Sequence, residues 1–116
     1  GGDVVVEGGD KPWRIGIQDP FDSEKLRGVV ELRQGAVATS GLYARGQHLF
    51  DPATGAPAEG WASITVVGPD LGLADAYGTA LFADATSHPA WFERLTEYSA
   101  YFIGTDGHID TIRFAA

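Results

Sequence analysis

Three stretches of the chain carry side chains able to do chemistry. The first is His48-Leu49-Phe50-Asp51-Pro52-Ala53-Thr54-Gly55-Ala56-Pro57, which sets an imidazole, a carboxylate and a hydroxyl close together. Pro52 and Pro57 stiffen this stretch, and Gly55 permits a positive φ. Asp51 ahead of Pro52 initiates a turn, because its carboxylate accepts backbone N–H bonds while the proline fixes φ. Such a preset loop can hold groups that exchange protons with, or hydrogen-bond to, a bound molecule. The second is the pair Asp75 and Thr79, spaced to share one helical face. Both offer hard oxygen atoms, the donor type that Mg²⁺ and Ca²⁺ select. The third is Thr39-Ser40-Gly41, two hydroxyls and a glycine in a row. Each stretch also has a plainer reading. Residues 48–57 could be a hairpin connection with a surface histidine. Asp75 could favour a helix dipole while Thr79 bonds a backbone carbonyl, and Thr39 and Ser40 could cap a strand end.

The elements that would position these groups follow from periodicity. Residues 4–7 read as a buried strand, and residues 13–18 alternate Trp13, Ile15 and Ile17 against Arg14 and Gln18, as a half-buried strand does. These two are expected to pair as a hairpin across Gly8-Gly9-Asp10-Lys11-Pro12. Residues 23–27 are polar and read as loop, followed by a strand through Val29, Val30 and Leu32. Further strands are expected at residues 36–41 and 61–68. Leu73, Ala74, Tyr77, Ala80 and Leu81 recur with helical spacing, predicting a helix from about residue 71 to 83 with Asp70 as its cap. A second helix is expected over residues 89–97, with Pro89 in its first turn and Ser87 as cap. Residues 100–104 and 109–114 read as a hairpin turning at Asp106-Gly107. The sum is an α+β fold, an antiparallel sheet with two helices packed on one face.

Composition narrows the function classes. A chain of 116 residues, 44% hydrophobic, can build one modest domain. Its net charge of −8 and lack of any basic cluster argue against nucleic-acid binding, which needs cations to meet phosphates. An acidic chain can still hold a phosphate through a metal ion or helix N-terminal amides. The absence of cysteine excludes disulfides, thiolate catalysis and cysteine-ligated zinc. The opening Gly1-Gly2-Asp3-Val4-Val5-Val6 enters a strand at once, as the interior of a longer chain would.

In order and spacing the chain resembles the ApbE family, the FAD:protein FMN transferases. The matching residues are Gly1-Gly2-Asp3, Pro12-Trp13-Arg14-Ile15-Gly16-Ile17-Gln18-Asp19-Pro20, Val37-Ala38-Thr39-Ser40-Gly41, the whole of residues 48–57, and Ala74-Asp75-Ala76-Tyr77-Gly78-Thr79-Ala80. The patterns H-x-x-D-P-x-T-G-x-P and A-D-A-x-x-T-A carry most of the specificity. The chain departs from the family in two places: Leu42 stands where an acidic residue is usual after T-S-G, and Tyr77-Gly78 where Leu-Ala is usual.

The resemblance implies an ApbE-like domain of which residues 1–116 form the C-terminal portion, its upstream part being absent. It implies Mg²⁺-dependent transfer of FMN from FAD to a threonine of an acceptor protein, with release of AMP. It assigns His48 to transfer, Asp75 and Thr79 to Mg²⁺, and substrate contacts to Asp3, Thr39, Ser40, Gly41, Asp51 and Thr54. Asp51 orients the loop, and Thr39 and Ser40 contact substrate through hydroxyl or backbone N–H. Two alternatives stand beside transfer: hydrolysis of FAD to FMN and AMP, and a non-catalytic flavin-binding fragment. An upstream segment or a second copy is expected to cover the edge around residues 4–6 and complete the fold. An exported or membrane-associated location in bacteria is the corresponding expectation.

Overall fold

The computed structural model describes residues 3–41, 60–84 and 88–114. Seven strands and two helices follow in order: β1 (Val4–Val6), β2 (Trp13–Asp19), β3 (Asp22–Leu32), β4 (Gly35–Gly41), β5 (Trp61–Gly68), α1 (Leu71–Asp84), α2 (Ala90–Glu93), β6 (Ser99–Gly104) and β7 (Ile109–Ile112). Five strands form one sheet in the order β1-β4-β5-β6-β7, and every pairing in it is antiparallel. Strands β2 and β3 form a separate two-stranded ribbon. The expected antiparallel sheet with helices on one face is therefore present, and a second layer of strands covers the other face.

Strand alternation explains both layers. Ala38, Ile64, Val66, Ala100, Phe102 and Ile112 point to one face and pack with Ala74 and Leu81 of α1 and Phe92 of α2. Val37, Val67, Tyr101 and Ile103 point the other way and pack with Ile17 of β2 and Val30 of β3. Central strand β5 is covered on both sides, so it reads as a near-continuous apolar run rather than an alternation. Removing each of the Val, Ile, Leu and Phe side chains among these from water contributes about 1.5–3 kcal/mol.

Three expectations about local structure are corrected. Strand β1 does not pair with β2. It pairs with β4, Val4 opposite Val37 and Val6 opposite Gly35. In that place Val6 is buried, while Ile17 joins the cluster of Val37 and Val67 from the second layer. A β1–β2 hairpin would have left β4 with an open edge. Second, residues 23–27 are strand, not loop. They lie within β3 and extend its pairing with β2 down to Asp19 opposite Asp22. The polar sequence hid this because ladder hydrogen bonds, not burial, hold the segment, with Phe21 N–H donating to Asp19 Oδ1 at 2.7 Å across the turn. The third correction is α2, which ends at Glu93 rather than residue 97. The Arg113 guanidinium donates to the carbonyls of Phe92, Glu93 and Leu95 at 3.1, 3.0 and 2.7 Å, and these acceptors end the helix there. Pro89 stands in the cap position without a side-chain bond, and the expected cap Ser87 lies outside the described residues.

The last strand ends at Ile112, two residues short of the expected limit, and the remaining boundaries agree with the periodicity to within a residue. Helix α1 starts as expected, with Leu73 N–H donating to the Asp70 carboxylate at 2.8 Å. The last hairpin turns through Gly107 at φ 88°, with His108 N–H donating to Asp106 Oδ1 at 2.9 Å.

Candidate functional site

Strand β4 ends in Thr39-Ser40-Gly41 and runs directly into the segment that carries His48, Asp51 and Thr54. Those three residues lie outside the described residues. Alternation separates the two hydroxyls of β4. Thr39 Oγ1 lies 3.0 Å from Thr65 Oγ1, its cross-strand partner on β5. Ser40 turns to the helix side, where a Cβ built on Gly78 of α1 would lie 3.3 Å from Ser40 Oγ. A ligand on the helix side therefore meets the hydroxyl of Ser40, and Thr39 can offer it backbone only. Gly41 pairs with Ser63 at the last described rung of β4.

Helix α1 is seated on the sheet by Ala74, Gly78 and Leu81, its buried residues. Asp75 and Thr79 follow two of these by one residue and are both exposed. They sit one turn apart, so the carboxylate and hydroxyl occupy the same flank of α1. Asp75 lies past the first turn, which holds no acidic residue, so the helix dipole does little for it. Among the described residues it forms no ion pair. Two hard oxygens with no competing cation suit Mg²⁺ as part of a coordination shell. Among the described residues no three His, Asp or Glu side chains converge as a metal cluster. The remaining ligands of such a shell would be water and substrate phosphate, the usual habit of Mg²⁺.

Asp3 is exposed and precedes β1. Extending the Val4–Val37 register by one residue puts it level with Ala38, one residue short of Thr39. The structure thus brings Ser40 and the Asp75–Thr79 helix together, and sets Asp3 near the same end of β4.

Two features carried no usable sequence signal. A groove of about 870 Å³ runs between the ribbon and the β5–β6 end of the sheet, lined by Arg14, Leu32, Val67, Glu97 and Phe114 among others. Of the expected site residues that are described, none lines it. The second is His88, held between the carboxylates of Glu93, five residues on, and Asp110 on β7. Only its position before Pro89 marked it in the sequence.

Comparison with known proteins agrees with the motifs. The ApbE family model matches residues 1–102. A relative in Rhodobacter capsulatus, named FAD:protein FMN transferase, is 41% identical over 92 residues, covering 70% of this chain and 17% of its own length. One of the same name in Escherichia coli (strain K12) is 32% identical over 112 residues, covering 88% of this chain and 32% of its own length. The chain therefore spans at most about a third of these curated relatives. The crystal structure of the ApbE protein from Thermotoga maritima superposes with a TM-score of 0.73 at 32% identity, over 97% of this chain and 41% of that one. With the family model covering most of its length and the same fold recurring in a solved member, this chain belongs to the ApbE family.

Proposed function

We propose that this chain supplies part of the active site of a Mg²⁺-dependent flavin transferase. The reaction moves FMN from FAD to a threonine hydroxyl of an acceptor protein and releases AMP. Membership of the ApbE family and the name shared by the curated relatives support the flavin chemistry. The observation that carries the reading is the contact between Gly78 and Ser40, which docks the Asp75–Thr79 helix against the strand leading into His48.

In this reading the acceptor threonine oxygen forms a bond to the flavin-side phosphorus of FAD. The bond from that phosphorus to the bridging oxygen breaks, and AMP leaves with the oxygen. His48 takes the hydroxyl proton as a general base, or hydrogen-bonds the phosphate while solvent takes the proton. Asp75 and Thr79 would hold Mg²⁺, which when bound offsets charge on the diphosphate. Ser40 bonds the substrate through its hydroxyl, Thr39 and Gly41 through backbone groups. Asp51 orients the His48 segment, Thr54 contacts the substrate, and Asp3 borders the same strand end.

Thermal denaturation of the intact protein tests the binding half of this reading. A ligand that binds only the folded state adds RT ln(1 + [L]/Kd) to its stability, about 2.7 kcal/mol at a hundredfold excess over Kd. FAD should raise the melting temperature, and Mg²⁺ should enlarge the rise. No response to FAD with or without Mg²⁺ would overturn the proposal.

A further inference from the structure

The flavin reading leaves His88 unused. Its backbone is left-handed, φ 57°, which is uncommon outside glycine. That turn aims the ring between two elements. Nδ1 lies 3.2 Å from Glu93 Oε1 on α2, and Nε2 lies 3.0 Å from Asp110 Oδ1 on β7. Ionised carboxylates only accept hydrogen bonds, and a neutral imidazole donates only one. The doubly protonated ring alone can satisfy both partners. We propose that His88 is a pH-sensitive clasp that ties α2 to β7 when protonated and releases one of them when neutral.

The clasp acts on an element that depends on outside ties. Helix α2 has four residues, far too few to be stable alone. Its other supports include the burial of Phe92 in the main core, the Arg113 guanidinium on its carbonyls, and the tilted and edge-on contacts of Trp91 and Phe92 with Tyr77, at centroid distances of 6.2 and 6.3 Å. Tyr77 belongs to α1 and lies between Asp75 and Thr79 in sequence. Loosening α2 is therefore felt along the helix that carries those residues.

The charged groups around the ring set the direction. Glu93 faces it from α2 and Asp110 from β7. Asp84 at the end of α1 accepts from Trp91 Nε1 at 3.2 Å, and Arg113 meets the carbonyl of Glu93 from beyond β7. The hydrogen bond to Asp110 is the largest influence and holds the His88 pKa above its ordinary value, desolvation opposing it. A raised folded-state pKa gives stability that is complete below the ordinary value of about 6.5 and is lost as pH rises through the folded value. The clasp is closed in mild acid and opens toward alkaline pH.

Two measurements on the chain test this. The His88 ring is titrated by NMR in the wild type and in Asp110→Asn. Amide exchange of Phe92 to Arg94 is followed against pH, corrected for the intrinsic rate, in the wild type and in His88→Asn. Asparagine tolerates the left-handed backbone but has no proton to lose. The expected results are a His88 titration above 6.5 that falls in Asp110→Asn, and α2 protection that drops with rising pH in the wild type only. The drop should be about threefold for each half unit by which the folded pKa exceeds the unfolded one. A His88 titration at or below 6.5, or an unchanged pH dependence in His88→Asn, would overturn the clasp.

Discussion

Gly78 and Ser40, 38 positions apart in sequence, meet where α1 lies on the sheet: a Cβ on Gly78 would come within 3.3 Å of Ser40 Oγ and 3.7 Å of Val66 Cγ2. This contact joins two of the motifs that carry the family resemblance. A glycine inside a helix costs about 1 kcal/mol of propensity relative to alanine. Here that cost accompanies a closely seated helix.

Substitutions at Gly78 should therefore sort by size. Gly78→Val overfills the contact with Ser40 and Val66, and should destabilise the fold by about 1–3 kcal/mol. Gly78→Ala regains helix propensity while asking only that the small Ser40 hydroxyl rotate, so its net effect should stay below about 1 kcal/mol. Urea denaturation of both variants checks this. A loss for alanine equal to that for valine would contradict the rotation of Ser40 on which this sorting rests.

Gly68 makes a second tight contact, at the far end of β5. A Cβ there would fall into the ring of Tyr98, itself buried and edge-on to Tyr77 at 5.0 Å. Gly68→Ala should cost about 1–3 kcal/mol or more, since the ring is confined on both sides. Thermal unfolding with near-ultraviolet circular dichroism as the probe reads both the loss and the change in tyrosine packing.

Arg113 stands out among the cations. It donates to four backbone carbonyls, those of Phe92, Glu93, Leu95 and Tyr98, from a residue with φ 53°. Hydrogen bonds from a charged donor are worth about 1.5–3 kcal/mol each when isolated, and less than their sum when shared. Arg113→Asn keeps a residue that accepts the left-handed backbone and removes the guanidinium. It should destabilise the chain by about 2–3 kcal/mol and deprotect α2 in hydrogen exchange. Arg113→Lys should recover only part, because a single ammonium cannot span the same carbonyls.

Much of this architecture was legible in the sequence wherever the signal was local. Asp70 caps α1 because a carboxylate there can reach the third amide of the helix. Asp106-Gly107 turns the last hairpin because only glycine readily accepts the positive φ. The helical spacing of Ala74 and Leu81 placed them in the core, but Leu73, on the same pattern, is 46% exposed, and Gly78 takes a buried place that periodicity alone assigned to no one. Long-range choices were not legible. Whether β1 joins β2 or β4 depends on which layer completes the sheet, and no short window of sequence encodes that. Nor did the exposed, polar half of β3 carry an apolar pattern to read. Of the candidate site, the shared flank of Asp75 and Thr79 follows from helical spacing, and the opposite facing of Thr39 and Ser40 from strand alternation.

The metal assignment has a separate consequence. Asp75→Asn keeps shape and removes the charge that a hard dication prefers. In the intact protein it should abolish the Mg²⁺ dependence of FAD binding and of turnover, with little effect on folding because Asp75 is exposed. Mg²⁺ titration followed by flavin fluorescence measures it. His48→Ala should behave differently, leaving FAD binding largely intact and slowing transfer, since its proposed role belongs to the transition state.

The central claim is that these residues serve flavin transfer to a threonine. Its most direct measurement is mass spectrometry of a threonine-containing acceptor peptide incubated with FAD, Mg²⁺ and the intact protein. The expected result is an FMN phosphoester on the threonine, free AMP in equal amount, and no adduct when the threonine is replaced by alanine. Free FMN and AMP without an adduct would contradict transfer and indicate hydrolysis, and neither product, with a known transferase active on the same peptide, would contradict catalysis altogether.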